Sequence, residues 1–386
     1  MTSPVDTSVK WARSSMPGAP TLTRAAGSLI ALLDALLVNG WGQQTASSVV
    51  VAGGVATATF PTDHAAAKHA VVLVDGVTGT LTALNGEQKV TAVAPNVIKW
   101  ATAAADGAAT GTITVKMAPA GFAKPFTGTN LAAYKSAHPA AHGQYLRVAD
   151  TTVESARAVG YETMTAISTG TGLFPSAAQV SGGAYWGKSD ATSGTTPSPW
   201  LFASDGRIFY LMVQGCFESN AGLGHAVLAF GDLVPESPAG DPFATVLAGS
   251  PDSGWNAVGG NYVIDYGAVN YAVATPRVFL GTGTSSRGCA STESRFGASS
   301  DPLPNPITGA IPLSRIGYKD TVAGFQRATF PGLLYCINPK AEALIANHQV
   351  VELPGGKAYA ASFHGNQVYV SSMLNVAMLD IIGPWR

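Results

Sequence analysis

The spacing of apolar positions changes once along the chain. In TRAAGSLIALLDALLVNG, Leu29, Ile30, Leu32, Leu33, Leu36 and Leu37 recur at the intervals of one broad helix face. The pattern predicts a helix of about four turns, capped by Thr21 or Thr23 and stopped at Asn39-Gly40, where glycine supplies a left-handed residue. From Thr45 onward the period falls to two. SSVVVAGGVATATF places alternating apolar runs on either side of Gly53-Gly54, a dipeptide suited to a two-residue hairpin turn. AVVLVDG, an Asn85-Gly86 turn, EQKVTAV, NVIKWAT and TGTITVKM follow at hairpin spacing. Residues 45–120 therefore read as a small β-barrel or sandwich module of five or six strands.

Past the linker MAPAGFAKPF, residues 121–386 also alternate. PWLFASDGRIFYLMV is the clearest hairpin, turning at Asp205-Gly206 between aromatic-rich strands. HQVVEL, a Pro354-Gly355-Gly356 turn, KAYAASF, a Gly365-Asn366 turn, QVYVSSM and VAMLDIIGPW predict a closing meander, and PKAEALIAN at 339–347 a second short helix. Long Gly/Ser/Pro/Asp stretches at 187–199 and 281–307 are of the length that carries function or is ordered by a neighbour. The predicted fold class is mainly β: an N-terminal arm with one apolar helix (1–44), a small β-barrel or sandwich module (45–120), and a larger antiparallel β-sandwich-like C-terminal domain (121–386).

The helix limits the compartment. A bilayer crossing needs about 20 apolar residues, and Asp34 would sit at mid-membrane, so no membrane span is expected. The run also begins after 25 mixed residues and exits through NGWG, unlike a secretory signal. Its apolar circumference is wider than a surface helix needs, so its own domain or a neighbouring copy must cover it. Leu29, Ile30, Leu33, Leu36, Leu37 and Trp41 are accordingly the candidate assembly residues.

Composition then narrows the chemistry. Charged residues make up 12% of the chain, about half the usual share, and small residues cover much of the surface, which loses little side-chain entropy on packing. The net charge of −1 and the lack of basic clusters give no footprint for nucleic-acid binding. Cys216, Cys289 and Cys336 are too far apart for a zinc pair and odd in number, and read as buried thiols. His138 and His142 have the spacing of helical metal ligands, but Pro139 lies between them and no acidic third ligand follows. His64 beside Asp63, and His225, have no nucleophile motif to serve. RVFLGTGTSSRG lacks the Lys-Ser/Thr of a phosphate loop. No cofactor, metal or catalytic residue is predicted. Trp186, Trp200 and Trp255, set among polar loop residues, are either core anchors or glycan contacts.

The segment VVVAGGVATATFPTDHAAAKHAVVLVDG, with LNGEQKVTAVAPNVIKWA, resembles a small β-module recurrent in virion proteins of tailed bacteriophages. Its usual His-Gly-Phe and Gly-Asp positions are occupied here by His64-Ala65-Ala66 and Lys68-His69. The wider succession VKW, GAPTLTRAAGSLIALLDALLVNGWG, KPFTGTNLAAY, YLRVAD, WLFASDGRIFYLMV, AFGD and DIIGPWR resembles structural proteins encoded among phage tail genes. The resemblance implies a non-enzymatic virion component of the tail or tail tip, packed against copies of itself and other virion proteins. A receptor- or glycan-binding tip or fibre protein that touches host surface glycan is the alternative it leaves open, with a head–tail connector or head decoration protein as a further one.

Overall fold

A computed structural model describes residues 3–191, 193–215, 226–253, 273–281, 283, 285–292, 305–307, 310–320, 322, 324–336, 344–365 and 374–386. The protein is mainly β, built from antiparallel sheets, as the alternation predicts.

Eight strands form the sheet of the small module. Their spatial order is Trp41–Thr45, Thr114–Met117, Val71–Asp75, Gly86–Ala94, Val97–Ala101, Val55–Thr59, Ser48–Ala52 and Gly107–Ala108. Ala52 pairs with Val55 across Gly53 (φ 58°) and Gly54 (φ 77°), so both turn residues occupy the region only glycine enters freely. Asn85-Gly86 behaves differently from the expected hairpin turn. A 3₁₀-helix, Gly79–Leu84, intervenes, and the Asn85 amide binds back to the Val77 N–H and carbonyl, fastening the crossover at 2.9 and 2.8 Å.

A five-stranded sheet runs Phe122–Gly128, Leu131–Ser136, Tyr145–Ala149, Ser155–Tyr161 and Ala184–Gly187. Its Phe122 and Trp186 meet Phe209 of the largest sheet edge-on, at 5.7 and 6.1 Å between ring centres. That largest sheet has thirteen strands among the described residues. It starts at Lys10–Arg13, passes through Trp200–Ser204, Ile208–Val213 and Ala226–Asp232, and ends at Val350–Leu353. The hairpin between Trp200–Ser204 and Ile208–Val213 turns at Asp205-Gly206 as expected; the Asp205 carboxylate accepts the N–H groups of Arg207 and Ile208. The two edges of the sheet approach one another, and Arg13 Nη1 donates to the His348 carbonyl at 2.6 Å.

One hydrophobic core runs through the helix and the three larger sheets, joining Leu29 and Leu33 to Trp100, Tyr134, Trp200 and Phe330. The segment expected as an arm contributes Lys10–Arg13 to the large sheet, in register with Leu201–Ser204, and Trp41–Thr45 to the small one. Of the expected second helix, 339–343 lie outside the described residues and 344–347 are turn and irregular backbone. The expected strand at 367–373 also lies outside them.

Candidate functional site

The apolar helix is shorter than its pattern predicts. An α-helical part, Ser28–Leu33, continues as a π-helical part, Asp34–Asn39, and Gly40 (φ 70°) ends it. Gly27 (φ 83°) breaks the chain before the first turn, and the expected threonine caps are absent: Thr23 Oγ1 accepts the Ala25 N–H instead. The cap comes from Asp150, whose Oδ2 accepts the N–H groups of Leu29 at 2.8 Å and Ile30 at 3.4 Å. Those amides would otherwise be orphan donors in a dry interior. Asp150 is held in turn by Lys188 Nζ, 2.6 Å from Oδ1, with both side chains fully buried. Lys188 spends its other two protons on the carbonyls of Thr152 and Ala25, at 2.8 and 2.9 Å. Burial lowers its pKa against the pull of Asp150. At the other end, Ala120 and Gly121 donate to the carbonyls of Leu36 and Leu37, and Asp34 binds Lys124 and the Tyr134 hydroxyl.

This arrangement corrects the docking expectation. Leu29, Leu33 and Leu37 have no exposed surface, and Leu36, Ile30 and Trp41 are buried, all against the protein's own core. The subunit itself covers the apolar circumference, because Tyr134 and Phe122 of the five-stranded sheet, with Ala120 of the linker before it, close over the helix. The glycan expectation is corrected for two of its residues. Trp186 is fully buried and donates Nε1 to the Ala248 carbonyl at 2.8 Å; Trp200 is fully buried and donates to Pro20 at 3.0 Å. Buried indoles with satisfied N–H groups are core anchors. Trp255 lies outside the described residues, as do His225 and Cys216. Cys336 is fully buried.

His138 and His142 do not converge on a metal. His142 Nδ1 lies 3.1 Å from Thr245 Oγ1 and 3.3 Å from Asp232 Oδ1, and Asp232 also receives Arg207. Burial lowers the His142 pKa, with Asp232 opposing. Together with Asp205 and Arg386 these groups make a rim network in which each charge faces a counter-charge. His64 Nε2 lies within hydrogen-bond distance of the Ala94 and Val97 carbonyls, 2.7 and 3.1 Å away, beside a cavity of about 10 Å³, room for roughly one water. No cluster of metal-ligating side chains occurs among the described residues. A second buried network centres on Arg327, which grips Asp241 through Nε and Nη2 at 2.5 and 3.1 Å and reaches Asp320 at 3.3 Å. Its partners all belong to the fold's interior, so it cross-braces the large sheet.

What faces outward is the outer side of the small sheet. Strand alternation turns Val49, Val51, Ala56, Ala58, Ile98 and Trp100 inward. Outward point Ser48, Val50, Ala52, Val55 and Lys99, with Thr57, Thr59, Val97 and Ala101 half-buried. Val50 is 43% and Val55 37% exposed, and Val50, Thr57 and Lys99 stand in one cross-strand row. On the strands Ser48–Ala52, Val55–Thr59 and Val97–Ala101 this face carries one charge, Lys99, among small and β-branched side chains. The small-residue composition is consistent with such a face, whereas the apolar periodicity of the helix pointed to the helix for assembly. No model of a known family matches the chain, and no curated protein matches it at a significant level.

Proposed function

We propose that the protein is a non-enzymatic structural subunit of a tailed-phage virion, placed in the tail or tail tip and assembled as a symmetric homo-oligomer with other virion proteins around it. The observation that carries this reading is the outward face of the strands Ser48–Ala52, Val55–Thr59 and Val97–Ala101. Its Val, Thr, Ala and Ser side chains have few rotamers to freeze and, Lys99 apart, no charge to desolvate, so contact with a neighbour costs little. The motif succession along the chain supports the phage assignment, and the braced core suits a part that bears load rather than one that turns over substrate.

Light scattering coupled to size-exclusion chromatography tests the assembly claim. Wild-type protein is expected to elute as an oligomer. The Val50→Glu/Val55→Glu variant is expected to elute at monomer mass with unchanged circular dichroism. A wild type that stays monomeric at high micromolar concentration, or a variant that assembles normally, overturns it. Image reconstruction of the particle then tests the placement in the tail.

A further inference from the structure

The junction between the small module and the large sheet is held by an unusual group. Lys89 lies on the Gly86–Ala94 strand of the small sheet and is buried. Its Nζ lies 2.7 Å from Ile381 O, 3.4 Å from Val9 O and 3.5 Å from Ile382 O. Val9 immediately precedes the first strand of the large sheet, and Ile381 and Ile382 immediately follow the Leu374–Asp380 strand, so one side chain ties three separate segments. Those segments are already in close approach: a Cβ on Gly383 (φ 78°) would lie 2.8 Å from Val9 Cγ2.

All three acceptors are neutral carbonyls. The nearby carboxylates are engaged elsewhere: Glu87 pairs with Lys10 at 2.9 Å, and Asp380 with Lys357 at 3.2 Å while also accepting the N–H groups of Ile382 and Gly383. Asp6 and Asp380 attract the ammonium from a distance, and Lys10 repels it. His69, on the same side of the junction, is bound with Lys68 to Glu352. A dehydrated ammonium facing only dipoles costs several kcal/mol, whereas a neutral amine keeps two donors for Ile381 and Val9 at little cost.

We propose that Lys89 is a proton-operated latch, closed as the neutral amine and weakened as the ammonium, so that the small module loosens from the large sheet as pH falls. Burial depresses the Lys89 pKa to about 8, so the junction weakens as pH falls from the ordinary lysine range to about 8 and changes little below it. At neutral pH the junction is therefore under tension, and the rest of the core holds it shut. This device is independent of the assembly reading.

Amide hydrogen exchange on the full chain, corrected for intrinsic rates, reads the latch directly. The opening constant of strand 86–94 and of residues 381–383 is expected to fall by roughly tenfold per pH unit between about pH 8 and 10. Strand 208–213, inside the large sheet, is expected not to follow. In Lys89→Met the response at the junction is expected to vanish. The same pH response in wild type and Lys89→Met overturns the proposal. Should that variant not fold, carbon-13 titration of the Lys89 Cε in the wild type decides: a midpoint near 8 supports the latch, and an ordinary lysine midpoint overturns it.

Discussion

Asp150 does two jobs with its carboxylate oxygens and a third with its backbone. It caps Leu29 and Ile30, neutralises Lys188, and fixes the turn that leaves the Tyr145–Ala149 strand through its own N–H to the Asn130 carbonyl. The consequences of removing each partner are therefore unequal. Asp150→Ala leaves a buried ammonium facing only carbonyls and strips the helix cap, and is expected to cost about 3–5 kcal/mol in urea unfolding. Lys188→Met leaves Asp150 still bound by two amides, so a smaller loss is expected, and the double variant should lose less than the sum of the two. Equal single losses that simply add would show that the pair is not coupled. None of this was visible locally, because the cap lies more than a hundred residues from the helix it serves.

At the scale of elements, the helix is a core component. Leu33→Ala is expected to destabilise by about 2–5 kcal/mol while leaving the oligomeric mass unchanged, read by urea unfolding and light scattering. A change in mass without a loss of stability would restore the docking role. The sequence made the helix, the Gly53-Gly54 hairpin, the Asp205-Gly206 hairpin and the Val350–Leu353 to Lys357–Gly365 turn legible, since each depends on residues within a few positions of one another. It did not reveal that Lys10–Arg13 is a strand of the large sheet, or that Asn85 fastens a crossover, since both depend on distant partners. Periodicity showed that the helix must be covered, and the polar neighbours of Trp186 and Trp200 left core and glycan roles open, but neither signal says by what these residues are met. The small-residue composition is consistent with the outward face of the small sheet but carries no position.

For the whole molecule, buried bases set the pH response. Burial and the adjacent Arg13 lower the His348 pKa to about 4, and burial lowers His69 and His142 in the same direction. The unfolded chain thus binds more protons than the folded one between about pH 4 and 6.5, so stability rises with pH across that window and is lost as pH falls through it. For His348 the full difference is roughly 3 kcal/mol. Urea midpoints are expected to climb from pH 4 to 6.5, and His348→Asn, which keeps a residue tolerant of the left-handed backbone (φ 59°), to flatten the climb. An unchanged slope would assign the acid sensitivity to carboxylates instead. Chain order has its own cost. Lys10 pairs with Ser204, and Val9 is held beside Ile381. At ribosomal speeds of about 5–20 residues per second, the first strand waits on the order of 10–40 s for its neighbour. Through that interval Trp11 and the leucines of the helix are a nascent apolar surface, and whatever shields them then governs the yield of folded protein.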